Sequence, residues 1–314
     1  MIDFRYHLVS IISIFLALAV GIVLGAGPLQ ANLGSQLTDQ VSALRAEKQE
    51  LNDQLAASEQ RVAAADEYAE AVSGRVIEDA LIGHTVAVIV LPSADGTLVD
   101  LVEEAVETSG ATLSATVTID DDWFDPSLAP ERAEAATAAA STLGLSSSLS
   151  GDALLAQVLA RLTVSTDLVS ESESRAAALT TLTDAGMVGS STEELEPADL
   201  AVIISGDFAG DEVEVQRRAE TIRTIARLVA DGSAGAVVAG PQPVISAGQP
   251  VSSDAVAAIR SVDASARLIS TVDHASDAPG PAIVVLALES ELVGQVGHYG
   301  TAEGATAAAP RVAP

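Results

Sequence analysis

The chain has 314 residues, with 44 Asp and Glu against 15 Lys and Arg and a net charge of −29. That charge excludes nucleic acid and an anionic lipid surface as the main ligand and favours solubility and a diffuse attraction for cations. The absence of Cys excludes a disulfide framework and a thiolate metal site, and an aromatic content of 3% leaves little with which to build a base-stacking surface.

Residues 1–28 form the first predicted element. A short polar start holds one basic residue, Arg5, and is followed by an uncharged apolar run over 8–26 and then by Gly27-Pro28 as a stop. A run of about 18 or more such residues is long enough to cross the hydrocarbon layer. A cleaved signal sequence would have a shorter core and a small-residue cleavage site, where Pro28 stands instead. The reading is therefore an uncleaved, single-pass anchor in the cell membrane; the sequence leaves inner and outer membrane open, and a helical span argues for the inner one, since outer-membrane proteins are typically barrels. Arg5 precedes the span and no basic residue follows until Arg45. Residues 1–7 are then expected in the cytoplasm and the remaining chain outside. Ala17, Gly21 and Gly25 share one face at four-residue spacing, which would let two such helices approach closely.

A coiled-coil stalk is predicted over 33–80. Leu37, Leu44 and Leu51 fall at heptad d positions, and Val41, Lys48, Leu55 and Val62 at a positions, with Asp, Glu and Arg off the seam. The 3-4 spacing holds for about six heptads, more than a single amphipathic helix requires. Lys48 is the chain's one lysine. At an a position it would cost stability and specify register in a two-stranded coil. Proximity to the anchor favours a parallel homodimer. Ser58, Ala65 and Ala69 weaken the distal seam, which would either pair loosely or accept a helix from a protein partner.

An extracytoplasmic α/β domain is expected over 84–298. Apolar runs at 85–91, 111–119, 200–204, 235–240 and 266–272 read as strands, and 97–107, 211–230 and 251–262 as helices. Residues 282–288 fit a strand or a buried helix, and 126–186 a group of helices. Alternation of this kind implies a Rossmann-like parallel sheet with helices on both faces. The tail, 299–314, is rich in Gly, Ala and Pro and is expected to be disordered. The fold class is thus α/β: a transmembrane helix, a long coiled-coil helix, then a parallel-sheet domain.

Chemistry is sparse. The loops 92–96, 205–207 and 240–241 follow strands, where open parallel sheets bind ligands, but none carries a phosphate-binding fingerprint. Asp120, Asp121, Asp122 and Asp125 surround Trp123 and offer oxygen ligands for a hard cation, without the EF-hand pattern. His84 and His298 are the imidazole candidates for a metal, on the chance that they converge at the ends of the domain. No nucleophile elbow is present, so the chain reads as a non-enzyme with no resident cofactor. Arg217, Arg218, Arg223 and Arg227 concentrate positive charge on one helix, a solvated face or a docking patch for an acidic partner.

The start Met1-Ile2-Asp3-Phe4-Arg5-Tyr6-His7, the span end Val20-Gly21-Ile22-Val23-Leu24-Gly25, Ser270-Thr271-Val272-Asp273 and Gly297-His298-Tyr299-Gly300 resemble the actinobacterial MctB family, labelled copper transport outer membrane protein. The resemblance covers nearly the whole chain. It implies a role in copper transport or homeostasis, with the copper ion as the metal handled. The family includes SteB-like members, which implies as the alternative a membrane-anchored regulator that recruits a septal peptidoglycan hydrolase through its coiled coil. The residues themselves read as a dimeric scaffold rather than a self-contained channel, because one apolar helix supplies neither a closed barrel nor a polar pore face.

Overall fold

The computed structural model describes residues 4–165, 172–193, 195–207, 210–246, 248–251 and 254–311, and of residues 26–36, 250 and 254 the backbone alone. The first three residues of the expected cytoplasmic segment, and parts of the 126–186, 251–262 and tail regions, lie outside it. The chain divides into two units, residues 1–65 and 66–314.

Helix α1 spans Phe4–Ile77. Gly27-Pro28, expected to stop the first helix, lie inside this element. Proline forfeits its own N–H bond, yet the helix continues through it, so the apolar run ends there while the helix does not. Among the described residues, Phe4–Gly25 is the one stretch long and apolar enough to cross a membrane.

In the second unit the elements follow as β1 (Thr85–Val90), α2 (Gly96–Thr108), β2 (Thr112–Ile119), α3 (Ala129–Thr142), α4 (Gly151–Thr163), α5 (Ser172–Asp184), β3 (Val188–Ser190), β4 (Leu200–Ile204), α6 (Glu212–Gly232), β5 (Gly235–Ala239), β6 (Val244–Ser246), β7 (Gln249–Val251), α7 (Asp254–Arg260), α8 (Asp263–Ala266), β8 (Ser270–Val272), α9 (Gly280–Leu292) and β9 (His298–Tyr299). Seven strands form one sheet in the order β3-β2-β1-β4-β5-β8-β9. Only β3 runs antiparallel to its neighbour; the other pairings are parallel. The fold is therefore mixed α/β with a mostly parallel sheet.

The period of two along each strand explains the continuous apolar runs. Ile89, Ala201, Ile203, Ala236 and Val238 face a core shared with α3, α4, α5, α6 and α7. Val86, Val88, Val90, Leu200, Val202, Ile204, Val237 and Ala239 face the opposite core, shared with α2, α9, Ile77 and Leu81. A strand covered on both faces needs apolar side chains at every position. Helix α9 follows the same logic: it is buried on nearly all sides, so its sequence lacks the polar stripe that marks a surface helix. Side-chain caps start α2 and α6, with Asp95 accepting from Thr97 N at 2.7 Å and Asp211 accepting from Glu214 N at 2.9 Å.

The strand expected over 266–272 is shorter, because α8 runs to Ala266 and only Ser270–Val272 joins the sheet. The helix expected from 251 starts at Asp254, after the β6–β7 hairpin has used Val251.

The loops after β1 and β4 are pressed together at the carboxyl edge of the sheet. Ser93 adopts a φ of 67°, and a Cβ on Gly206 would lie 1.8 Å from the Ser93 carbonyl oxygen. Backbone on backbone cannot yield as a side-chain tip can. Gly206→Ala is expected to lower the unfolding free energy by about 1–3 kcal/mol or more, read as a reduced midpoint in urea.

Candidate functional site

Two regions hold the residues singled out in the sequence. The first is the heptad seam of α1. Leu37, Val41, Leu44, Leu51, Leu55 and Val62 are 44–63% exposed, and Lys48 is exposed with them. A row of large apolar side chains left in water on one helix is an unpaired surface. In the apolar segment Phe4–Gly25, a Cβ on Gly21 or Gly25 would meet nothing within 4 Å, so the Ala17, Gly21, Gly25 face is likewise open.

The second region is the sheet, where the metal candidates are scattered. His84 sits immediately before β1, its Nδ1 2.5 Å from Asp199 Oδ2. Asp199 Oδ1 accepts from Thr85 N at 2.6 Å and from Thr85 Oγ1 at 2.8 Å. Burial would raise the Asp199 carboxyl, but the bonds from His84 and Thr85 outweigh it and hold it below the usual carboxylate value. His298 lies in β9, four strand positions from β1, roughly 19 Å at about 4.8 Å per strand. The two histidines do not converge, because the parallel order inserts β4, β5 and β8 between them.

His298 is also fully engaged. Its Nε2 lies 2.9 Å from the Ala266 carbonyl, an obligate acceptor, and so carries the proton. Its Nδ1 then accepts from Thr271 Oγ1 at 3.0 Å. Burial, then the nearby positive charge of Arg260, push its pKa down and keep it neutral. Asp120 and Asp122 flank the start of a 3-10 turn at Asp121–Trp123. Burial, then repulsion from Asp122 and Asp121, raise the Asp120 carboxyl. Among the described residues, no group of three His, Asp or Glu side chains is placed to hold a metal ion.

The arginines of α6 are largely committed. Arg218 pairs with Glu214 at 2.7 Å and Arg227 with Asp231 at 3.2 Å. Arg217 donates to the Phe124 carbonyl, and Arg223 to that of Ala258 at 3.5 Å.

The structure does bring together two motifs distant in sequence, Ser270-Thr271-Val272-Asp273 and Gly297-His298-Tyr299-Gly300. Strands β8 and β9 pair Thr271 with His298 and Val272 with Tyr299. Arg260, at the end of α7, ties them. Its Nη1 lies 2.5 Å from Asp273 Oδ2, with both side chains at most 3% exposed. Its Nε donates to Thr271 Oγ1 at 2.8 Å and its Nη2 to the Tyr299 carbonyl at 2.9 Å. Asp273 also accepts from Thr301 N and Ala302 N, each at 3.0 Å. Gly300, at φ 134°, makes this possible: a Cβ there would lie 1.8 Å from Asp273 Oδ1. Residues 299–311, expected to be disordered, are therefore fastened. Ala302 is buried, and Ala307 bridges Tyr299. Gly and Ala content says nothing of a segment held by its backbone N–H groups. The network is a closed electrostatic clamp, and the sequence offered no sign that Arg260 was its centre.

The family described as copper transport outer membrane protein, MctB, matches residues 1–310. Proteins called copper transporter MctB in Mycobacterium tuberculosis and Mycobacterium bovis are each 30% identical to the chain over 315 residues, covering 97% of it and 98% of the relative. The protein of the same name in Mycobacterium leprae is 31% identical over 323 residues, covering 98% of each.

Proposed function

The chain belongs to the MctB family of copper transport outer membrane proteins, and we propose that it serves copper transport as a membrane-anchored, homodimeric scaffold. The observation that carries the scaffold reading is the exposed seam of α1, with Leu37, Leu44, Leu51 and Leu55 each more than half exposed. A parallel two-stranded coiled coil would bury it, with Lys48 specifying register. The span, orientated by Arg5 with its N-terminus in the cytoplasm, would place the Rossmann-like domain outside. Copper in this reading is cargo. The chain holds no Cys, and thiolate and thioether ligands are what Cu(I) prefers. Handling of the ion then depends on the assembled dimer or on a partner, with no enzymatic step in the chain itself.

The small residues Ser58 and Ala65 of the distal seam, both exposed, favour a second reading. There a partner helix joins the coil, as in SteB-like recruitment of a peptidoglycan hydrolase.

The test is cellular copper content in a strain lacking the chain. Expected is an altered copper content and copper tolerance, restored by the intact chain and not by one carrying Leu44→Asp and Leu51→Asp. Unaltered copper content on deletion would sink the transport reading. Capture of a septal hydrolase by the stalk would then favour the second.

A further inference from the structure

The β6–β7 hairpin stands apart from the seven-stranded sheet. Its strands pair with each other, Val244 with Val251, Ile245 with Pro250 and Ser246 with Gln249, and with no third strand among the described residues. Val244 and Ile245 are 58% and 72% exposed, and Val251 is exposed with them. A two-stranded hairpin is marginal in water without a further strand or a packed face.

Its charge is as unusual as its exposure. Residues 232–253 contain no Asp, Glu, Lys or Arg, in a chain with 44 acidic residues. Strand edges that must stay unpaired are commonly guarded by charges or by proline. Here the two edges differ. Along an antiparallel strand, successive residues turn their N–H and C=O alternately towards the partner and away from it. A two-residue turn with Gly248 at φ 81° joins Ser246 to Gln249, so these two face each other across the turn. The next pair, Ile245 with Pro250, therefore faces outward. Proline has no N–H to present, which closes the β7 edge. Ile245 presents both groups, which leaves the β6 edge open.

We propose that the open β6 edge pairs with the β6 edge of a second copy of this chain, antiparallel and centred on Ile245, to make a four-stranded sheet. The N–H and C=O of Ile245 would bond those of Ile245 in the second copy, and Val244 would lie opposite Ser246 on either side. Charge decides the occupant. Two copies at −29 each repel over most of their surface. Like charges directly opposite in a strand pair are destabilising, and this pairing places none there. Three residues a strand bury too little to join two free proteins, since stable interfaces bury about 1,200 Å² or more. The contact therefore rests on the homodimeric reading of α1, in which the coil holds the two domains at a high effective concentration.

The chain contains no Cys, so single cysteines report the contact on the full chain in detergent. Directly opposed residues of such a pair have Cα atoms about 5.5 Å apart, within the roughly 4.4–6.8 Å that a disulfide spans. Ile245→Cys is expected to give a disulfide-linked dimer under mild oxidation. Gln249→Cys, on the closed edge, would lie at least about 14 Å from its counterpart, three strand spacings away. It is expected to link about tenfold more slowly or less. Adding Val244→Asp and Ser246→Asp to Ile245→Cys sets carboxylates face to face and should slow linking by about tenfold as well. Leu55→Cys reads the coil separately. Linkage through Leu55→Cys but not through Ile245→Cys would overturn the hairpin contact and leave the dimer standing; linkage through neither would overturn both. Equal rates for Ile245→Cys and Gln249→Cys, or a rate unmoved by the two Asp substitutions, would mean chance collision and overturn the contact too.

Discussion

Asp273→Ala is expected to lower the unfolding free energy of the α/β domain by about 3–5 kcal/mol, the cost of removing one member of a buried ion pair. The reason lies in what remains. Arg260, whose guanidinium is buried, would keep its charge and lose its carboxylate. The N–H groups of Thr301 and Ala302 would lose their acceptor, and the buried one, that of Ala302, adds about 1–3 kcal/mol when left unsatisfied. Removing both charged partners, as Arg260→Met with Asp273→Leu, relieves the first cost but not the second. A buried pair exchanged for apolar groups is often neutral; here the double variant is expected to stay destabilised, because the buried Ala302 N–H loses Asp273 as its acceptor. Chemical denaturation checks both, and loss of amide protection over 300–307 would place the damage.

The same carboxylate sets a pH dependence. Burial by itself would raise the Asp273 pKa, but the His274 ring at 3.6 Å, the Arg260 guanidinium and the Thr301 N–H hold it far below the usual carboxylate value. A carboxyl depressed on folding stabilises the fold above its unfolded pKa of about 3.9, and that contribution fades as pH falls below it. Wild-type stability should therefore decline below about pH 4, and Asp273→Asn should flatten that part of the decline. An equal decline in both proteins would assign it to other carboxyls.

This clamp marks where sequence reading ended. Strands β1, β4 and β5 were legible because burial on two faces writes an apolar residue at every position. Helix α6 was legible because it is covered on one face only, and its polar stripe shows the helical period. By contrast, α9 is buried all round, and its apolar run carries no period to separate helix from strand. Strand β3 has three residues, one of them Gly189, too few for any alternation to register. The Arg260–Asp273 pair lies within 13 residues in sequence, but its purpose involves Tyr299, Thr301 and Ala302, and hydrogen bonds to distant backbone leave no pattern in residue types. Gly300 was the one available sign. It stands in the motif Gly297-His298-Tyr299-Gly300, and its φ of 134° supplies the physical reason for a glycine there. The separation of the metal candidates has a related reason: His84 and His298 each look free in sequence, whereas strand order sets them apart and Thr271 and Ala266 bond the second.

Leu44→Asp with Leu51→Asp is expected to abolish the proposed dimer. The two leucines are d positions one heptad apart, 63% and 57% exposed on the single chain, so neither supports the fold of the protomer. In a two-stranded coil four leucine side chains would leave the seam, at about 1.5–3 kcal/mol each. Four carboxylates would take their place in facing pairs, where like charges repel. Since about 1.4 kcal/mol is tenfold in affinity, the dissociation constant should rise by several orders of magnitude. Ala46→Asp adds the same charge at a position facing away from the seam and should leave the dimer intact. The chain contains no Cys, which makes disulfide trapping clean. Leu55→Cys lies at an a position, and a bridge needs Cα atoms within about 4.4–6.8 Å. That separation is met between identical residues only when two helices run parallel and in register. Trapped dimer from Leu55→Cys alone, lost when the two Asp substitutions are added, would establish the coil and its direction together. Failure of Leu55→Cys to cross-link at any protein concentration would mean that the exposed seam serves a different helix.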